Sequence, residues 1–152
     1  MRLIIAGSRS MPRHIAMSFI EVHCAIQPPS VVVCGKAQGV DTWGEAWARA
    51  RGVHVDPHPV LDWTKSDGRT DYAAGHRRNA RMVAVADALL VIHWQKPKSG
   101  STDVRDRARV AGLLVVEVAI TPPRYMPSFQ KSITTERVFR APYELVDDEI
   151  PF

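Results

Sequence analysis

Cysteine is scarce in this chain of 152 residues, which has only Cys24 and Cys34. One falls in an expected helix and the other at an expected strand end. Free thiols in a cytoplasmic setting are therefore expected rather than a disulfide. Long apolar runs are also lacking. The longest have strand length, well short of the roughly 20 residues a membrane-spanning helix needs. The first residues enter a strand at once, so no secretory leader is expected. Aromatic residues make up 7% of the chain and the net charge is +4. Both are modest for a dedicated nucleic-acid binder, which needs stacking platforms and a strong basic surface. His54 and His58 have no cysteine or carboxylate in ligand spacing, so no metal site is expected. No Ser-His-Asp or Cys-His constellation is legible.

What is present suits one globular domain with a real core: 45% hydrophobic and 24% charged residues. Arg2–Ala6 reads as a short apolar strand. Ser10 and Pro12 suit a helix start, with Ile15, Phe19, Val22 and Ile26 at helical spacing until Pro28-Pro29. Val31–Val33 is a β-branched run typical of a buried parallel strand. Asp41 can cap a second helix whose apolar face holds Trp43, Ala46, Trp47 and Ala50. Val53–Val55 starts a third strand, and residues 60–72 form a polar loop containing Trp63, Lys65 and Asp67. A third helix runs to about Ala86 with Met82 and Val83 inward. Ala88–His93 is the strongest strand, followed by a helix near Thr102–Ala111 and a fifth strand at Leu113–Val118. This alternation predicts an α/β fold: an open parallel sheet of about five strands, with helices on both faces and right-handed crossovers. Residues 119–152 break the pattern with Pro122-Pro123, Pro127, Pro142 and Pro151. They read as an extended or disordered tail beyond a 1–118 domain, with a short strand at Arg137–Arg140.

Glycine-bearing turns follow the strands. They are Gly7-Ser8-Arg9, the run Cys34–Asp41 containing Gly35, Lys36 and Gly39, and Ser99-Gly100-Ser101-Thr102-Asp103. Gly68-Arg69 and Gly75–Asn79 lie in and after the polar loop. A glycine turn at a helix N-terminus leaves backbone N–H groups available to an anion. Several in one small sheet point to a phosphate-bearing ligand. In open parallel sheets the first and fourth strands usually flank the ligand crevice, so Gly7–Arg9 and Ser99–Thr102 should face each other there.

Gly7-Ser8-Arg9, Gly39-Val40-Asp41, the set Gly68, Arg69, Arg78, Asn79 and Met82, and Gly100-Ser101-Thr102 together resemble the YspA-like branch of the SLOG superfamily. The resemblance covers about residues 1–118. It implies a Rossmann-like sheet and a nucleotide-type ligand. Relatives include the lonely guy phosphoribohydrolases and the DNA-processing protein of natural transformation. Two departures stand out. Cys34-Gly35-Lys36 occupies the place of Ser-Gly-Gly, and Arg105 occupies the place of the phosphoribohydrolase glutamate. The C-terminal Asp147-Asp148-Glu149-Ile150-Pro151-Phe152 is similar to the acidic tip of bacterial single-stranded DNA-binding proteins. That tip docks on replication and repair enzymes.

The expected ligand-binding set is therefore Gly7, Ser8, Arg9, Ser99, Gly100, Ser101 and Thr102 for phosphate, with Gly35 and Gly39 in the second turn. Lys36, Arg69, Arg78 and Asn79 add a cationic and polar cluster. Trp94 follows a strand end and could stack on a base or fill a core position, as could Trp63. Asp41 could cap its helix, bind a ribose hydroxyl or serve as an acid or base. Glu45, one turn on, and Asp103 are the other candidate carboxylates. The expected function is binding of a phosphorylated nucleotide or nucleotide-derived signal. The alternatives are N-glycosidic cleavage of a nucleoside monophosphate and a DNA-processing role. For the last, residues 1–118 carry 16 Lys and Arg against 11 Asp and Glu, a net of +5, so nucleic acid is not the favoured ligand. No cofactor is expected. The expected partners are the nucleotide, a second copy of the chain, and a replication or repair protein held through Asp147, Asp148, Ile150, Pro151 and Phe152.

Overall fold

The computed structural model describes residues 1–95, 99–121 and 135–138. Five parallel strands lie in the order β3-β2-β1-β4-β5. They are β1 (Arg2–Gly7), β2 (Val31–Cys34), β3 (His54–Pro57), β4 (Ala88–Trp94) and β5 (Leu114–Ile120). A sixth, β6 (Thr135–Val138), pairs antiparallel with β5, with Ile120 opposite Thr135. The short strand expected at Arg137–Arg140 thus sits two residues earlier. The sheet also draws on residues beyond 118, because β5 runs on to Ile120.

Four helices alternate with the strands: α1 (Arg13–Ile26), α2 (Val40–Ala50), α3 (Ala73–Ala84) and α4 (Ser99–Val110). The period of two along β1 sends alternate side chains to opposite faces. Leu3 and Ile5 join Ile15, Ile20, Trp47 and Leu90 in the core under α1 and α2. Ile4 and Ala6 join Met82, Val104, Leu89 and Val91 under α3 and α4. Each fully buried Leu or Ile contributes about 1.5–3 kcal/mol. Strands β1 and β4 supply seven of the fully covered large residues between them: Leu3, Ile4, Ile5, Leu89, Leu90, Ile92 and His93.

Two helix faces differ from expectation. On α1 the buried residues are Ile15, Ala16, Ile20 and Cys24, whereas Val22 and Ile26 are exposed. Small Ala16 and Cys24 let the helix lie close to the sheet, and the bulkier Val22 and Ile26 turn outward. On α2 the buried set is Val40, Asp41, Gly44, Trp47 and Ala48, and Ala50 is exposed. Asp41 is not the cap: Gly39 holds that position, and Asp41 lies inside the first turn. Among the described residues no helix is long and apolar enough to cross a membrane. Because β1 is flanked by β2 and β4, the chain leaves its two neighbours in opposite directions, which opens a crevice at the C-terminal strand ends.

Candidate functional site

A cavity of about 370 Å³ occupies this crevice. Gly7, Ser8 and Arg9 line it from the turn after β1, and Gly100 and Ser101 from the first turn of α4. Asp41, Arg78 and Asn79 lie between them. Trp63, Tyr72 and His76 come from the polar loop and the start of α3.

The β1 turn is tied to β4. The Ser8 backbone N–H donates to the Ile92 carbonyl at 3.0 Å, and the Trp94 N–H donates to Ser8 Oγ at 2.9 Å. A hydroxyl that accepts one bond keeps its own proton for a second partner. Arg9 is exposed and has no hydrogen bond or ion pair among the described residues.

Opposite this turn, Arg78 Nη1 donates to the Gly35 carbonyl and lies 3.7 Å from Asp41 Oδ2. Asp41 is buried, at 5% side-chain exposure, and Arg78 is partly buried, at 12%. A Cβ on Gly35 would stand 2.0 Å from Arg78 Nη1, so glycine makes room for the guanidinium. Burial pushes the Asp41 carboxyl up to about 6, against the pull of Arg78 and of the Ala37, Asp41 and Gly7 backbone amides.

A raised folded-state value means that the native protein holds this proton more tightly than the unfolded chain. Stability from this group is therefore full below the unfolded value of 3.8 and is lost as pH rises towards about 6. At 1.36 kcal/mol per unit, the loss is about 3 kcal/mol. The neutral variant Asp41→Asn removes it. Urea unfolding should show the variant gaining on the native sequence by roughly that amount between about pH 4 and pH 7. A constant difference across that range would refute the assignment. The comparison cancels Glu45, Asp56, Asp103 and Glu117, whose lowered values act in the opposite sense.

The start of α4 is held from α3. Asn79 Nδ2 donates to the Gly100 carbonyl at 3.2 Å and to Asp103 Oδ2 at 2.9 Å. His76 Nδ1 lies 2.9 Å from Asp103 Oδ1. Burial raises Asp103, but hydrogen bonds from Arg107, Asn79 and His76 outweigh it and hold the carboxyl below its usual range. Ser101 is buried, with its Oγ 3.3 Å from His93 Nδ1.

Other sequence candidates lie elsewhere. Lys36 Nζ binds Glu45 at 2.7 and 2.9 Å, and Arg49 joins the same carboxylate at 2.7 Å. Lys36 therefore spends its charge on Glu45, and neither side chain lines the cavity. Arg69 pairs with Asp67 at 2.6 Å on an exposed loop. Trp94 packs against the α1/α2 core, the opposite side of the sheet from Met82 and Val104. Gly39 shapes the turn below the crevice without lining it, and Thr102 and Asp103 also fall outside the lining. Ser99 is the first residue of α4. Asp147, Asp148, Ile150, Pro151 and Phe152 lie outside the described residues.

Tyr72 and His76 were not singled out from the sequence. His76 stands three residues before Asn79, a spacing that puts both on one helix face and could have revealed it. No group of three or more His, Cys, Asp or Glu that could hold a metal occurs among the described residues.

No protein-family model and no curated protein matches the chain. Among solved structures, it is similar to DNA processing protein A (DprA) from Streptococcus pneumoniae, with a TM-score of 0.61 and 20% identity. The match covers 76% of this chain and 49% of that one, so the chain spans about half its length. The two share a Rossmann-like α/β fold.

Proposed function

We propose that the crevice binds a phosphorylated nucleotide or a nucleotide-derived signal, and that the chain is a SLOG-type domain of the YspA-like branch. What supports this is the convergence on one cavity of the Gly7–Arg9 turn, the α4 N-terminus at Gly100 and Ser101, and the partly buried Arg78. A helix N-terminus and a forked guanidinium both favour phosphate oxygens. Trp63 and Tyr72 offer π-faces for a base, and the volume suits a small ligand. Calorimetry with a panel of mononucleotides, cyclic nucleotides and ADP-ribose-like compounds is expected to detect binding. Folded protein that gives no heat with any member would sink the proposal. Trp63→Ala should weaken the best ligand roughly tenfold, since stacking contributes about 1–3 kcal/mol per base. Unchanged affinity would remove Trp63 from the base site. Cytoplasmic residence and self-association belong to the same proposal, and sedimentation checks the latter.

For N-glycosidic cleavage, Asp41 is the one candidate carboxylate that lines the cavity, because Glu45 and Asp103 are engaged elsewhere. Arg105 turns to Glu117 at 2.9 Å. Release of free base from nucleotides, followed by chromatography, would support this activity. A DNA role draws on the fold shared with DNA processing protein A. A salt-dependent mobility shift with single-stranded DNA would favour it over small-ligand binding. Loss of partner capture on deleting Ile150–Phe152 would support the tail as a docking tip.

A further inference from the structure

We propose that Ser101 is a nucleophile activated by His93 and Glu117, and that the crevice hydrolyses an O-acyl ester carried by its ligand. The nucleophile is argued from geometry alone. Only the identity of the ester, an acyl group on a nucleotide sugar, rests on the function proposed above.

Three elements bring the relay together. Ser101 is the third residue of α4 and lines the cavity. His93 is the penultimate residue of β4 and is fully buried. Glu117 stands on β5 opposite Val91, two positions back from the His93 pairing with Ala119, so it shares the face of His93. Ser101 Oγ lies 3.3 Å from His93 Nδ1, and His93 Nε2 lies 3.0 Å from Glu117 Oε1. His93 Nε2 makes no aligned hydrogen bond at that distance, so Glu117 acts on the ring through its charge. A proton on Nε2, the nitrogen nearer the carboxylate, leaves the Nδ1 lone pair to accept from the serine. This is the nucleophile, base and orienting-acid order of acyl-transfer enzymes, with the two ring nitrogens exchanged.

The surroundings support the two roles. Burial lowers His93, against the pull of Glu117, so the resting imidazole is neutral and can take a proton. Burial raises Glu117, but Arg105, His93 and Arg109 together outweigh it and keep the carboxylate ionised. Arg105 Nη1 and Arg109 Nη2 hold it at 2.9 and 2.7 Å.

In the first step Ser101 Oγ bonds to the acyl carbon and its proton passes to His93 Nδ1. The ester C–O bond breaks, and the departing alcohol takes that proton. Water then attacks the acyl-serine and gives a proton to Nδ1. That proton returns to Oγ as the carboxylic acid leaves. Negative charge on the tetrahedral oxygen develops beside the α4 N-terminus, where the helix dipole favours it.

A network that merely seats α4 would satisfy the same atoms but leave Ser101 inert. The full chain is therefore treated with an alkyl fluorophosphonate. There, serine attack breaks the P–F bond, releases fluoride and leaves a stable phosphonyl ester. One adduct, mapped by peptide mass spectrometry to Ser101, is expected. It should be absent in Ser101→Ala, and its rate should fall at least 100-fold in His93→Gln and at least tenfold in Glu117→Gln. Hydrolysis of p-nitrophenyl acetate should fall in parallel. No adduct at Ser101 in folded protein, or equal labelling of the His93→Gln variant, would overturn the proposal. If that variant fails to fold, the Glu117→Gln rate and the Ser101→Ala comparison decide the matter. Neither reagent contains a nucleotide, so a negative result leaves nucleotide binding to calorimetry alone.

Discussion

Replacing Gly39 with valine is expected to destabilise the protein by about 3–5 kcal/mol, the range of severe single substitutions. Gly39 has φ 89° and ψ −130°, a conformation open to glycine and strained for any residue with a Cβ. Strain of that kind costs on the order of 1–3 kcal/mol. Here sterics add to it. A Cβ would meet the Ser8 carbonyl oxygen at 2.5 Å and Arg9 Cα at 2.6 Å, both backbone atoms that cannot rotate away. The turn before α2 therefore rests directly on the turn after β1, and side-chain bulk at Gly39 must displace the wall of the crevice. Gly112 is the control. It too has positive φ, at 76°, but a Cβ there would meet nothing within 4 Å. Gly112→Val should carry the conformational strain alone, roughly 1–2 kcal/mol. Urea midpoints that place the two variants together would mean that the contact with Ser8 and Arg9 carries no weight.

Arg78→Ala is expected to weaken the proposed nucleotide by about 100-fold, because a hydrogen bond to a charged group contributes about 1.5–3 kcal/mol and the fork can make two. Its Nε has no hydrogen-bond partner among the described residues, so the fork is not fully used by Gly35 and Asp41. Arg78→Lys keeps the charge but loses the planar fork, and should lose about tenfold. Arg69→Ala should stay within roughly twofold of the native affinity, since Arg69 is already paired with Asp67 on the surface. Titration calorimetry on variants with native circular dichroism measures all three. Equal affinity for Arg78→Ala and the native chain would detach Arg78 from ligand binding. Arg78 is also the strongest influence lowering Asp41, so its loss should drive the Asp41 carboxyl further upward.

The alternating pattern was legible because it is local. β-branched runs, helix-spaced apolar residues and Pro or Gly breaks each act over a few neighbours, and they place all five parallel strands in order. The glycine turns were legible for the same reason, since a strand that must turn at once into a helix calls for small residues. Helix faces were less so. Spacing marks Val22 and Ile26 as apolar, but only contact with the sheet selects Ala16 and Cys24 for the interface.

Charge was the least legible. Lys36, Arg69 and Arg78 look alike as single letters. Glu45 takes the first and Asp67 the second, while Arg78 is held in the crevice by a glycine carbonyl and a buried aspartate. Trp94 and Trp63 were equally ambiguous until strand alternation sent one to the α1/α2 core and the polar loop brought the other to the cavity. Ser101, His93 and Glu117 come together only through α4 and the register of β4 with β5. By itself, the sequence determined a parallel α/β sheet with glycine turns at its strand ends, because those signals are short-range. The tertiary structure alone decided which cations meet the cavity and which carboxylate meets which base, because each pairing joins residues that the chain itself holds apart.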